Sequence, residues 1–190
     1  MQLSDRAKQL IPQARIVSFT PWKDLYSEEV IAIFQAADDQ GRYLSDQDLD
    51  MIKKLAPDTA SSGEQSRLLR EQASDLVAEA REQLLVHFPN ITDPGNDLYP
   101  KERAEACWRD FWHFLRCITY GITGKNVEFT SQEGLKNMEL LYQELRVPLP
   151  AMIYGLEQLK IVSLRRLNEA EQDVLELYFD HLITALKQFS

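Results

Sequence analysis

Glycine, cysteine and histidine are scarce in this chain, and each scarcity excludes a class of protein. Seven glycines in 190 residues form no Gly-rich phosphate loop. The two cysteines are too few for a disulfide framework, and on one helix they would lie about 15 Å apart, beyond disulfide reach. The three histidines fall in separate predicted helices without zinc-ligand spacing, so no metal site is indicated.

Clustered positive charge and long apolar runs are also missing. The formal net charge is −9, and the Lys and Arg residues are scattered among acids, which argues against sequence-independent binding of nucleic acid. No apolar run approaches the roughly 20 residues of a membrane span, and residues 1–13 have charges where a signal peptide has its apolar core. We expect a cytoplasmic protein, either free or at the cytoplasmic face of a membrane.

The apolar pattern is helical nearly throughout, with no clean period-2 alternation. A short helix fits residues 3–14. Thr20 is a predicted N-cap, with Pro21 at the first position of a helix over residues 21–39. Ser45 caps the next predicted helix, which Pro57 stops or kinks.

The later part of the chain predicts longer helices. Residues 61–88 carry one apolar stripe and predict a single amphipathic helix, and residues 101–120 predict the next. The capping-box pattern predicts helix starts at Thr130 with Glu133, and at Asn168 with Glu171. Seven or eight helices with short connections predict an all-α fold of one structural unit.

One helical face in the 101–120 stretch combines a thiol, a carboxylate and aromatic rings. Cys107, Asp110, Phe111 and Phe114 follow spacings of three, four and seven. From spacing alone, the ordinary interpretation is a small buried cysteine and a surface ion pair of Asp110 with Arg109 or His113. The functional interpretation is a thiol that tethers a large, flat, anionic molecule, with the carboxylate accepting its N–H groups.

The other candidate functional residues of the sequence give only weak signals. Cys117, among apolar neighbours, is predicted to be structural. Neighbouring acids such as Asp38 and Asp39 diverge on a helix and are expected to face solvent. Because no activated nucleophile, metal cluster or phosphate loop is present, we expect no enzymatic activity.

The residues around Cys107 resemble the phycobiliproteins, globin-like bilin carriers of light-harvesting antennae. The family pattern C-x-R-D, then L-R-x-x-T-Y, is present here, and "TYGI" is similar to the allophycocyanin branch. Further segments agree in the same order over about residues 23–190: "ADDQGRYLSDQDL", "DPGNDLY", "VPLPAMIYGLEQLK" and "YFDHLITAL". The matching residues of the pattern are Cys107, Arg109, Asp110, Leu115, Arg116, Thr119 and Tyr120.

The resemblance implies a globin-like all-α fold and a thioether between Cys107 and a linear tetrapyrrole of the phycocyanobilin type. Asp110 would hydrogen-bond the pyrrole nitrogens and favour their protonated form. Arg109 and Arg103 would pair with propionates, and aromatic side chains would restrict ring motion. The predicted bilin-binding residues are therefore Cys107, Arg109, Asp110, Arg103, Phe114 and Trp108.

Departures from the family pattern indicate a divergent paralogue. Trp108 and His113 are unusual at their positions, Pro57 interrupts a normally helical region, and the arm before Tyr26 is long. We expect a helical arm over residues 1–40 and a bilin-binding domain over residues 41–190. The arm carries an apolar stripe at helical spacing, for which we expect exposure and a partner chain: Phe19, Trp22, Leu25, Val30, Ile31 and Phe34.

Three functions remain open on the sequence. The first is a bilin-binding protein with an auxiliary role in pigment carriage or in assembly of photosynthetic complexes. The second is an antenna subunit of the phycobilisome, and the third is a pigment-free interaction protein on the same scaffold. Under the first two, phycobilisome or photosystem components are expected partners at the thylakoid surface.

Overall fold

Nine α-helices and three short 3₁₀-helices form the regular structure of residues 3–190, which the computed structural model describes. The all-α, globin-like expectation is confirmed. The α-helices are α1 Asp5–Leu10, α2 Glu28–Asp39, α3 Asp46–Leu55, α4 Ala60–Glu71, α5 Ala73–His87, α6 Lys101–Thr123, α7 Gln132–Leu145, α8 Leu149–Leu164 and α9 Glu169–Lys187. The 3₁₀-helices are Ile11–Gln13, Thr20–Asp24 and Pro57–Thr59.

Two of the four predicted helix N-caps, Thr20, Ser45, Thr130 and Asn168, are confirmed. Ser45 with Asp48 and Asn168 with Glu171 form complete capping boxes at α3 and α9. The cap predicted at Thr130 is wrong by one residue, because the Ser131 hydroxyl accepts from the Gly134 N–H at 3.1 Å. Thr130 is instead held in extended backbone by an antiparallel bridge to Val17.

Two predicted helices are each divided. Thr20 and Pro21 begin only a 3₁₀-helix, and α2 starts after Ser27, whose hydroxyl accepts from the Val30 N–H at 3.4 Å. The predicted helix over residues 61–88 breaks at Gln72, with φ −101° and ψ 5°. Helix α4 packs mainly on α6, whereas α5 packs mainly on α8 and also contacts α6, so the two halves run in the directions that these different neighbours require.

Helix α6 lies at the centre of the fold. It contacts α4, α5, α8 and α9, and every residue from 114 to 124 is buried. A helix that is buried on all sides needs apolar or internally paired side chains around its whole circumference. The N-terminal half of α6 carries Cys107 and Asp110 out from this central region.

The apolar stripe of the arm is not exposed, contrary to the sequence expectation. Phe19, Trp22, Val30 and Phe34 are 3%, 0%, 1% and 0% exposed, and only Leu25, at 61%, stands in solvent. The stripe packs into the core of the same chain. The apolar stripe of the arm is therefore covered by residues of the same chain and not by a partner chain.

Asp38 is also buried, where solvent exposure was expected. Its Oδ1 accepts from the Arg116 guanidinium at 2.9 Å, and its Oδ2 accepts from Arg15. Arg116 also donates to the Tyr120 hydroxyl at 2.8 Å, and that hydroxyl donates to the Arg42 carbonyl. The prediction failed because α2 packs against other helices, so that only Asp39 of the pair faces outward.

The predicted boundary near residue 40 separates an arm and a body that touch extensively. The Asp38 ion pair and the Val17–Thr130 bridge both cross it. The division stays a prediction, and Met1 and Gln2 lie outside the described residues. Within residues 3–190, no helix has the length and apolar character needed to cross a bilayer.

The buried ion pair predicts a large and local stability effect. Asp38→Asn should lower the free energy of unfolding by about 3–5 kcal/mol, because it leaves the buried Arg116 guanidinium without its counter-charge. The neighbouring substitution Asp39→Asn is the matched control. It removes an exposed partner of Arg15 and should cost at most about 1 kcal/mol. Urea unfolding midpoints measure both effects, and equal shifts would contradict the assignment.

Candidate functional site

Cys107 lies on the buried side of α6. Its side chain is 4% exposed, and burial raises the pKa of its thiol to about 12, with the Asp110 carboxylate adding to the rise and Arg103 opposing it. At neutral pH the sulfur is therefore a thiol and a weak nucleophile. Cys117 is also a free, buried cysteine, as expected.

Asp110 accepts a hydrogen bond from α7. The Tyr142 hydroxyl donates to its Oδ2 at 3.1 Å. Burial raises the pKa of the Asp110 carboxyl to about 6, against the lowering effects of the Tyr142 hydrogen bond and the Arg109 charge. Because a carboxylate offers about four acceptor positions, this group has acceptor capacity left for a ligand.

The two candidate arginines occupy different settings. Arg109 is exposed, and among the described residues no carboxylate lies within 4.0 Å of its guanidinium. The ion pair between Arg109 and Asp110 is thus not formed. Arg103 donates to the Asp97 and Arg146 carbonyls at 2.9 and 2.8 Å, so it links the α5–α6 loop to the α7–α8 turn.

The aromatic residues of α6 pack against one another. The Trp108 ring is stacked on Phe111 with centroids 6.1 Å apart, and the Arg81 guanidinium lies 5.1 Å from the Trp108 ring centre. Phe111 contacts Phe114 edge to face at 6.4 Å. Trp108 and Phe114 are 6% and 3% exposed, so both are held in fixed orientations beside Cys107.

An open groove of about 520 Å³ lies beside this region. Its walls come from the end of α5, the α5–α6 loop and the start of α8. Its volume falls within the range of small-molecule sites. Arg103 binds the carbonyl of Asp97, one of the lining residues, but neither Cys107 nor Asp110 lines the groove.

The structure places two of the predicted site residues close together on α6 and adds one residue, Tyr142, that the sequence did not predict. Cys107 and Asp110 share one region of α6, whereas the Arg103 guanidinium is engaged by two loops. Tyr142 was not foreseen, because it lies 32 positions from Asp110 and no spacing rule connects α7 to α6. Its only sequence signal is a tyrosine on the apolar stripe of a predicted helix.

The raised pKa of Asp110 predicts how stability changes with pH. The folded pKa of about 6 lies above the ordinary value of 3.8, so folding favours the protonated carboxyl. That contribution is fully present below about pH 4 and is lost as the pH rises through 6. Asp110→Asn stays neutral, so it should gain stability relative to wild type by on the order of 2 kcal/mol between pH 4 and 7.5.

Urea unfolding of the pigment-free proteins at several pH values measures this difference. Asp173→Asn is the control, because this carboxylate is exposed on α9 and keeps its water on folding. Its profile should run parallel to that of wild type. A parallel profile for Asp110→Asn as well would show that the Asp110 carboxyl is not held in a desolvated position.

Comparison with known proteins agrees with this architecture. Residues 32–186 match the family model "Phycobilisome protein". The allophycocyanin alpha chain of Thermosynechococcus vestitus is 32% identical over 155 residues, which are 80% of this chain and 94% of the relative. Allophycocyanin subunit alpha-B of Synechocystis sp. is 30% identical over 154 residues, 81% of this chain and 96% of the relative. The chain therefore belongs to the phycobilisome protein family.

Proposed function

We propose that this chain binds a linear tetrapyrrole through Cys107 and has an auxiliary role in pigment carriage or in assembly of photosynthetic complexes. The observation that carries the proposal is the pairing of Cys107 with the Asp110 carboxylate on α6. The Asp110 side chain is partly shielded from solvent, its carboxylate accepts one neutral hydrogen bond from Tyr142, and desolvation raises its pKa to about 6. A binding function, with no catalysis by this chain, fits the residues present.

The donor set fits a bilin. A protonated tetrapyrrole presents N–H donors and positive charge, and a desolvated carboxylate with spare acceptor capacity complements both. The exposed Arg109 guanidinium has no competing carboxylate within 4.0 Å among the described residues, so it remains available for a propionate. When bound, the pigment supplies visible-light absorption.

Each of the other roles in attaching and orienting the pigment belongs to a particular side chain. The Cys107 thiol would add across a carbon–carbon double bond of the tetrapyrrole, so that the sulfur bonds to one carbon and the proton ends on the pigment. Because this thiol is 4% exposed and has a pKa of about 12, attachment requires the covering side chains to move and a base to take the proton. Asp110 orients the pyrrole nitrogens, Tyr142 orients Asp110, and Trp108 and Phe114 restrict motion of the ring system.

The auxiliary role rests on the N-terminal part of the chain. Residues before 32 lie outside the family match, and Phe19 and Trp22 among them pack against the aromatic residues Tyr120 and Phe34. We place the protein beside phycobilisome or photosystem components at the cytoplasmic face of the thylakoid membrane. Pairing through the arm, as the sequence predicts, would first require residues 3–27 to leave the body.

Substitution of the two cysteines tests attachment. The chain is expressed together with haem oxygenase and a bilin reductase, and covalent pigment is detected by zinc fluorescence on a denaturing gel. Cys107→Ala should abolish the signal, while the matched control Cys117→Ala, a buried cysteine of the same helix, should keep it. Covalent pigment in Cys107→Ala would overturn the assignment, and a colourless wild type would favour the pigment-free scaffold.

The spectrum of Asp110→Asn tests the role of the carboxylate. A charge-assisted hydrogen bond contributes about 1.5–3 kcal/mol, which equals one to two units in the pKa of the chromophore. The variant should still attach pigment, but its red absorbance should be lost at a pH about one to two units lower than in wild type. Absorbance titration from pH 6 to 9 measures the shift.

Glu105→Gln is the control for that titration, because Glu105 is an exposed carboxylate on the same helix. It changes the formal charge by the same amount and should leave the spectrum as in wild type. If Asp110→Asn behaved in the same way as Glu105→Gln, the aspartate would not contact the chromophore.

A further inference from the structure

Residues 188–190, here named the α9 extension, follow α9 directly and lie beyond the family match, which ends at residue 186. The Phe189 N–H donates to the Leu186 carbonyl at 3.1 Å, so the backbone turns at this point. Phe189 is half-buried and packs against the hydrophobic core. The extension is thus a packed part of the folded chain, outside the region that matches the family.

The α9 extension is bonded to one face of α7. The Ser190 N–H and hydroxyl both donate to the Glu139 carboxylate at 2.8 Å, and the Gln143 side-chain amide donates to the Ser190 carbonyl at 2.9 Å. The Phe189 ring packs edge to face against Tyr142, with centroids 6.2 Å apart and an interplanar angle of 83°. Glu139, Tyr142 and Gln143 follow spacings of three and four, so the extension meets a single face of the helix.

The opposite face of α7 meets the N-terminal part of the chain. The Asn137 amide donates to the Gln13 carbonyl at 3.5 Å, and the Ser4 hydroxyl donates to the Glu144 carboxylate at 2.6 Å. Positions 137 and 144 are seven apart and lie about half a turn around the helix from positions 139 and 143. Helix α7 packs mainly on α1 and on the 3₁₀-helix Ile11–Gln13, so these contacts on both faces come from residues outside the family match.

The position of α7 decides the hydrogen bond to the candidate site. The Tyr142 hydroxyl reaches the Asp110 Oδ2 at 3.1 Å, which is already at the long end of the O–H···O range. A small rotation of the Tyr142 ring, or a small movement of the helix, would break this bond. Within residues 3–190, Phe189 supplies the one aromatic contact of the Tyr142 ring, and it restricts that rotation.

We propose that Phe189 and Ser190 are positioning residues, which hold α7 where the Tyr142 hydroxyl reaches the Asp110 carboxylate. Phe189 acts on Asp110 only through Tyr142, and Ser190 acts through the helix that carries this tyrosine. The use of the carboxylate for a pigment rests on the proposed function, whereas its positioning is a property of the pigment-free chain.

Three groups surround the Asp110 carboxyl and affect its titration. The Tyr142 hydrogen bond and the Arg109 charge lower its pKa, whereas burial raises it, to about 6 overall. The third group, the Cys107 thiol, is uncharged at neutral pH because its own pKa is about 12, and Arg103 acts on that thiol. Loss of the Tyr142 hydrogen bond therefore raises the Asp110 pKa further, while entry of water would lower it. The direction of the change separates a misplaced tyrosine from a merely loosened structure.

Carbon-13 NMR titration of the pigment-free full chain tests the positioning, with the Asp110 carboxyl signal assigned as the one missing from Asp110→Asn. Tyr142→Phe should raise the Asp110 pKa by about one pH unit, because it removes a hydrogen bond to a charged acceptor. Phe189→Ala should raise it by roughly half as much or more. The double variant should equal Tyr142→Phe alone, because both changes act through the same hydroxyl.

Two controls accompany the titration. Phe189→Tyr keeps the ring and should keep the Asp110 pKa of wild type. Lys187→Gln breaks an exposed contact of α9 with Glu157 of α8 at 2.7 Å and should also leave this pKa unchanged. An unchanged or lowered Asp110 pKa in Phe189→Ala, or a further rise in the double variant, would overturn the proposal. A chain that stays colourless on co-expression would count against the proposed function and leave this titration as it is.

A surface variant keeps the proposal testable if Phe189→Ala fails to fold. Glu139→Ala releases Ser190 without opening the core, and it should raise the Asp110 pKa. The matched control is Glu133→Ala, which removes the same charge from an exposed position of α7 and should not raise it. If both variants gave the same Asp110 pKa, Ser190 would not position α7.

Discussion

The buried charge pair between Asp38 and Arg116 constrains much of this structure. A carboxylate and a guanidinium removed from water are tolerated only in good geometry with their remaining polar atoms engaged. Here Tyr120 and Arg15 complete the cluster, so the arm helix, the central helix and the N-terminal segment must meet at one point. The pair adds little net stability compared with an apolar contact, but it disfavours other placements of α2, because they would leave a buried charge without its partner.

The same central helix joins this cluster to the candidate site. The C-terminal half of α6 is buried on all sides, and its N-terminal half carries Cys107 and Asp110 together with aromatic side chains that pack on one another. A carboxylate in such a place is desolvated, and its pKa near 6 is the result. A carboxyl with a perturbed pKa on a helix beside a cysteine is a candidate functional group. The Cys107 thiol is desolvated in the same way, and its pKa is raised as well.

The N-terminal segment of this chain covers aromatic residues of the part that matches the family. The family match begins at residue 32, and before it Phe19 and Trp22 pack against each other, with Phe19 also in contact with Tyr120 of α6. The glycines at positions 124 and 134 leave space for that contact. This packing of the N-terminal segment on the body is the observation that supports the auxiliary role proposed above.

Local signals in the sequence were sufficient for most helix starts and stops, and they are the basis on which Cys107 is predicted as the attachment residue. The caps at Ser45 and Asn168 and the stop at Pro57 depend on residues three or four positions apart, and the pattern around Cys107 lies within one helix. The cap at Thr130, the exposure of Asp38 and the partner of Asp110 were decided only by the tertiary structure. Thr130 forms an antiparallel bridge to Val17, and Asp38 pairs with Arg116, 78 positions away. Asp110 accepts a hydrogen bond from Tyr142 on another helix. Such contacts depend on which faces of separate helices pack together, and a pattern within one helix carries no information about the neighbour that its buried side will meet.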